Sequence, residues 1–222
     1  SVRPFELMMG KIFGVASVAV VQVLIWAVLV CGAGAAVMPH VLPDGAMEAA
    51  AALQQGGGAA TAAAGDFDPE TLGAIALATD VGYLAMLFGY LLLFVVGGYL
   101  LYSAMFAAVG SAVDNAQDAA QLQTPIMIPI ILAVIVEMSV LNDPNSPLAF
   151  WFSLIPFTSP VVMMARIPYG IPTWEIVLSL VLLYAAFVGM VWLSAKIYRV
   201  GIFMYGKKPT LREMFRWIRY KY

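Results

Sequence analysis

Between Val81 and Val109 the chain reads VGYLAMLFGYLLLFVVGGYLLYSAMFAAV, without one charged side chain. A helix needs about 20 apolar residues to cross the hydrocarbon core of a bilayer, and this stretch exceeds that. Inside lipid every backbone N–H and C=O must be satisfied internally, which leaves helices or closed barrels. The run is too continuous for the alternating pattern of a barrel strand. It therefore predicts a membrane-spanning helix.

Three further segments fit the same reading. Ile12 to Val37 and Ile176 to Ala195 are free of charge, while Pro125 to Leu141 is shorter and carries one acid, Glu137, near its end. The start signals agree. Asp68-Pro69 is a helix cap followed by a first-turn proline, so a helix is expected to begin well before Val81. Thr124-Pro125 repeats the pattern at the third span, and Pro172 with Glu175 suits the start of the fourth. The fold class is all-α, a polytopic transmembrane helix bundle treated as a single domain over 1–222.

Composition supports lipid as the solvent. Of the 222 residues, 63% are hydrophobic and 11% charged, with a mean hydropathy of +0.91. Soluble domains carry roughly 25% charged residues, so this chain lacks the polar surface to cover itself in water. It begins at Ser1 with no signal-peptide pattern, and is expected to be the C-terminal part of a longer protein. Cys31 is the lone cysteine and lies in an apolar run, so it forms no intrachain disulfide.

Leu148 to Ala165 is apolar and almost long enough for a fifth span. Prolines crowd it, at 144, 147, 156, 160, 168 and 172, and interior prolines break the helical ladder. A re-entrant outer helical hairpin within 142–173 is expected instead. Charge fixes the parity. Of 11 Lys and Arg, Arg3 and Lys11 precede the first span, eight follow the last, and Arg166 alone lies between. Positive residues stay cytoplasmic, so both ends are placed inside and an even number of spans is required; four satisfy this, five would export the basic tail, and 142–173 faces outward.

The linkers have distinct compositions. His40 to Gly65 is rich in Ala and Gly around Gln54-Gln55-Gly56-Gly57-Gly58 and reads as a flexible outer loop with at most a loose helix. Gly110–Gln123 reads as a short inner link. In the tail 196–222, Pro209 precedes a capping box, Thr210-Leu211-Arg212-Glu213. Leu211, Met214, Phe215 and Ile218 then share one helical face, with Arg212, Arg216 and Arg219 on another. This predicts a basic amphipathic helix on the inner membrane surface.

Enzyme chemistry is not written in the chain. Gly201 to Lys208 nearly matches a phosphate loop but ends in Lys where Ser or Thr belongs, without the strand and helix the motif needs. There is one His, His40, and no His-Glu-x-x-His, so no metal site or other cofactor is read, nor a nucleophile elbow. Nothing points to nucleic acid. The polar candidates are few. Glu137 is an intramembrane acid, by default a transport candidate, or an interfacial residue capping a helix or pairing with Arg166. Arg166 is read as pairing with Glu137 or meeting an anionic headgroup. Asp114 and Asp118, with Asn115 and Gln117, form a polar inner turn in which Asp114 suits a helix cap. Gly97-Gly98 and Gly110 mark places for close helix packing or sliding.

Several stretches together resemble permeases of type-2 ABC exporters, the sodium-extrusion-like group most of all. They are Ser1-Val2-Arg3-Pro4-Phe5-Glu6-Leu7-Met8-Met9-Gly10-Lys11; Ala107 to Asp118; Pro156-Phe157-Thr158-Ser159-Pro160 through Met163, Met164, Arg166 and Pro168; and Lys196 to Ile202 with Tyr205-Gly206-Lys207. The resemblance covers most of the chain outside the Ala/Gly-rich loop. It implies six spans per subunit with a large outer domain between the first two, so this chain would hold the last four. It also implies a cell-membrane exporter in which two permease subunits, alike or different, work with two ATPase subunits that bind ATP. Arg3, Pro4, Phe5, Leu7, Met8 and Lys11 would then form the segment that couples to the ATPase. An ion-coupled secondary transporter relying on Glu137, and a non-transporting membrane scaffold, are the alternatives; the first would follow an ion gradient and ignore ATP, the second would carry no flux.

Overall fold

A computed structural model describes residues 4–43, 45–54, 68–112 and 116–201, and the regular structure among them is helical throughout. In chain order the elements are α1 (Pro4–Val41), α2 (Ala46–Gln54), α3 (Pro69–Thr79), α4 (Val81–Ala112), α5 (Ala116–Val140), α6 (Pro147–Leu154), α7 (Ser159–Arg166), a 3-10 turn (Ile167–Tyr169) and α8 (Thr173–Gly201). Four stretches are long and apolar enough to cross a membrane: Ile12–Val41, Val81–Gly110, Ala119–Val140 and Thr173–Ile197. The chain clusters into two compact units, Ser1–Ala19 with Leu93–Tyr222, and Val20–Leu92.

In the larger unit three apolar contacts hold the helices. Ile12 and Ala16 of α1 pack on Leu100 of α4, with Phe187 of α8 beside them. Ala108 and Val109 meet Leu122 and Ile126 of α5 and Ile197 of α8. Ala133, Val136 and Val140 of α5 meet Ala149 of α6 and Val162 of α7. Apolar burial offers little drive where the solvent is also apolar, so small residues and interhelical hydrogen bonds carry weight. A Cβ on Gly97 would lie 2.7 Å from Leu183 Cδ2, and one on Gly98 would lie 2.9 Å from Pro160 Cγ. These two positions admit α8 and α7 respectively. Gly110 differs, since a Cβ there would meet nothing within 4 Å. Ser194 Oγ donates to Ala104 O at 2.6 Å and Tyr184 OH to Leu93 O at 3.0 Å. Each bond ties α8 to α4.

The prolines between α5 and α8 sit where helices start or stop. Pro147 opens α6 behind Ser146, whose hydroxyl accepts from Ala149 N at 3.2 Å. Pro160 lies in the first turn of α7 and Pro168 in that of the 3-10 turn. A first-turn N–H has no intrahelical partner, so proline costs nothing there. The result is two helices of eight residues each, about 12 Å long at 1.5 Å per residue, too short for either to cross.

In the smaller unit Ala46 and Ala50 of α2 pack on Ile75 and Ala76 of α3, with Leu42 beside them. Gln54 Nε2 donates to Ala76 O and, at 3.2 Å, to Thr79 Oγ1. The stretch expected to be a flexible loop from His40 thus holds the end of α1, to Val41, and a second helix, Ala46–Gln54. α1 runs through His40 to Val41, and alanine, the best helix former, fills α2. Residues 55–67, with the glycine run, lie outside the described residues.

Two helix starts differ from the sequence reading. Asp68-Pro69 does begin a helix, but α3 stops at Thr79. Asp80 then opens α4, its Oδ1 accepting from Gly82 N at 2.7 Å and Tyr83 N at 3.2 Å, so it acts as a cap. Thr124-Pro125 does not begin the third span. α5 starts at Ala116 and carries Pro125 and Pro129 inside it. The Ala- and Gln-rich stretch before Thr124 propagates the helix upstream, and spanning helices tolerate interior proline. Of the inner link expected at Gly110–Gln123, the part up to Ala112 belongs to α4 and the part from Ala116 to α5; residues 113–115 lie outside the described residues, as does the tail after Gly201, where the amphipathic helix is expected.

Candidate functional site

The most concentrated buried chemistry lies where α6, α7 and α8 meet. Arg166 ends α7 and is 2% exposed. Its Nη1 donates to Glu175 Oε2 at 2.8 Å and to Ser153 Oγ at 2.7 Å, and its Nε donates to Pro144 O at 2.8 Å. Glu175 stands in the first turn of α8 and is also buried. The Phe150 ring centroid lies 6.0 Å from the guanidinium carbon, at the outer reach of a cation–π contact. Ser179 Oγ donates to Ser153 O at 2.7 Å, and Ser153 Oγ to Phe150 O at 2.8 Å.

The chain builds this cluster locally. Gly170, at φ +72°, reverses the backbone after the 3-10 turn, a left-handed conformation that glycine adopts freely. That turn folds α8 back so that Glu175 faces Arg166, nine residues earlier. Thr158 Oγ1 ties the α6–α7 corner by donating to Phe152 O at 2.5 Å. Tyr102 OH donates to Phe157 O, also at 2.5 Å, and pins that corner to α4. The cluster is a clasp that fastens the short-helix pair to the last span. A carboxylate also suits a helix N-terminus, where the backbone dipole favours negative charge.

The pairing of Arg166 with Glu137 is therefore corrected. The partner is Glu175, and the Gly170 reversal is the reason. The signal was present in the sequence, as an acid nine residues after the lone central cation with Pro168, Gly170 and Pro172 between them. Glu137 is half-buried on α5, away from the ion pair that Arg166 makes with Glu175. Asp114 lies outside the described residues, as does the side chain of Asp118, which falls in the first turn of α5. Pro4, Phe5, Leu7, Met8 and Lys11 fall on the first turns of α1, their side chains outside the described residues. Arg3 lies outside them altogether. No group of three His, Cys, Asp or Glu able to hold a metal ion occurs among the described residues.

The smaller unit contributes a cleft of about 670 Å³ among α1, α2, α3 and α4. Val28, Cys31, Met38, Met47, Leu84 and Phe88 help to wall it, and among the described residues no charged side chain lines it. Such a wall suits an alkyl group and offers no charge to orient a polar ligand.

The family described as ABC-2 family transporter protein matches residues 1–196. No curated protein and no solved structure matches the chain.

Proposed function

The chain belongs to the ABC-2 family of transporter proteins, and from that premise we propose that it is the permease part of an ATP-driven exporter whose ATPase is a separate subunit. Its four long apolar helices and its family make it a multi-pass membrane protein. The finer reading has three parts. Two permease subunits form the pathway. The segment Arg3 to Lys11 docks on the ATPase. Both ends of this chain lie on the cytoplasmic side of an inner or plasma membrane, and the α6–α7 pair faces outward.

One observation supports the coupling role above all. The segment from Pro4 to Lys11 and the first span are one unbroken helix, α1, of 38 residues. A continuous helix transmits displacement along its axis, because each turn is bonded to the next. Force applied at Phe5, Leu7 and Met8 by an ATPase would reach the packing of Ile12 and Ala16 on Leu100 within a few turns. The clasp at Arg166 would hold the opposite region of the larger unit together through that movement.

The test is co-purification. With Phe5→Ala and Leu7→Ala introduced together in the full-length permease, the ABC ATPase subunit that co-purifies with the wild-type permease should be lost from the detergent-extracted complex. The permease itself should still elute as a single species. Undiminished capture of the ATPase would rule out Arg3–Lys11 as the docking segment.

A further inference from the structure

α8 carries a pattern that sets its depth. Trp174 and Trp192 are eighteen residues apart, five turns of 3.6, so they stand on one face. Both are well exposed, at 57% and 61%. Between them on that face lie Val177, Val181 and Val188, also exposed. The opposite face is buried, with Ser179, Leu183 and Ser194 turned inward. At 1.5 Å per residue the two indoles are about 27 Å apart, close to the roughly 30 Å hydrocarbon thickness of a bilayer. Tryptophan concentrates at the two membrane–water boundaries, where its ring is apolar and its N–H is wet. Lys196 Nζ lies 4.7 Å from the Trp192 ring centroid, as expected of a cation reaching toward headgroups at one of those boundaries.

The Trp174 end is joined to the short-helix pair. Phe150 of α6 has its ring centroid 6.3 Å from that of Trp174 and 5.4 Å from that of Trp151. Trp151 is 64% exposed and Tyr169 of the 3-10 turn 50%. The clasp of Arg166 and Glu175 locks this group to the first turn of α8.

We propose that Trp151, Phe150, Tyr169 and Trp174 form an aromatic shelf that rests in the glycerol and headgroup layer of the bilayer, with the valine stripe of α8 facing acyl chains and Trp192 marking the other boundary. The occupant of this surface is lipid. The spacing argues for it, since a Trp–aliphatic–Trp stripe of bilayer thickness matches lipid on both its chemistry and its length. On this reading α6 and α7 lie along the membrane lip, and the buried Arg166 sits at headgroup depth, where a charge costs far less than at the bilayer centre.

Depth-dependent quenching tests it. The full chain is reconstituted in phosphatidylcholine brominated either near the carboxyl end or near the terminal methyl of the acyl chains. Variants Trp151→Phe, Trp174→Phe and Trp192→Phe are each subtracted from wild type to isolate one indole. For all three, the shallow bromines should quench about twofold more than the deep ones, as boundary residence requires. Trp26, midway along Ile12–Val41, should show the reverse order. Stronger quenching of Trp151 by the deep bromines would overturn the shelf. Insensitivity of Trp174 and Trp192 to both lipids would overturn it too, because a second protein surface would then cover the stripe. If a variant fails to fold, fluorine NMR of the fluorotryptophan-labelled wild-type chain with spin-labelled lipid reads the same depths. The measurement reports depth and not side, so a reversed topology would leave its outcome unchanged.

Discussion

Replacing Glu175 by Gln removes one charge of the clasp and keeps its shape. Arg166 would remain buried, with hydrogen bonds to Ser153 and Pro144 but no countercharge. Breaking a buried pair by removing one partner costs about 3–5 kcal/mol. The lower end applies here, because glutamine still offers an acceptor and the site lies in the proposed headgroup layer. For a chain of this length each kcal/mol moves the midpoint by about 2–4 °C on soluble-protein scaling, so a loss of about 6–12 °C is expected. The assay is thermal unfolding in nanodiscs followed by size exclusion. A double variant, Arg166→Met with Glu175→Leu, gives the control. Removing both charges leaves no orphan, and replacement of buried pairs by apolar residues is often close to neutral. The double variant should therefore be more stable than Glu175→Gln alone. A midpoint for Glu175→Gln within about 2 °C of wild type, about 1 kcal/mol or less on the same scale, would refute the claim that this pair is desolvated and fastens the short helices to α8.

Other outcomes follow from the packing. Gly97→Val should lower the midpoint by several degrees, a cost of about 1–3 kcal/mol for overpacking against Leu183. Gly110→Ala should be neutral or stabilise the chain by up to about 1 kcal/mol, since its Cβ meets nothing and alanine favours helix; thermal unfolding of the two variants side by side checks both. Ser194→Ala should cost about 0.5–2 kcal/mol by removing its bond to Ala104 O, read in the same assay. Glu137→Gln should leave the proposed ATP-driven transport, read as uptake into inverted vesicles, intact, and collapse of flux together with loss of its dependence on an ion gradient would favour the ion-coupled alternative.

The long uncharged runs made the spans legible, because crossing lipid demands length and apolarity that nothing else in the chain mimics. The prolines around Leu148–Ala165 also read correctly as stops, since each falls at a helix start or in a turn. The same residue misled at Thr124-Pro125, where local cap chemistry competes with a helix already propagating from Ala116. Asp80 was passed over because an acid inside a helical pattern gives no sign of its own that it caps the next helix. The ion pair was legible only in part. Arg166 stood out as the sole cation between the terminal clusters, but its partner depended on the backbone reversal at Gly170, a long-range consequence of one glycine. Gly97 and Gly98 were noticed as small residues, yet which neighbour each admits is a property of the packed bundle.

The two interior prolines of α5 have a mechanical consequence. Proline has no N–H to give, so the carbonyls of Gln121 and Pro125 lose their usual rungs in the ladder. Bending stiffness in a helix comes from those rungs, and kinks gather where they are missing. Where α1 is proposed to push along its axis, α5 lacks two rungs at this level and bends more easily there. Strain reaching it will be taken up as a change of angle between its two halves before it shifts the whole helix along its length.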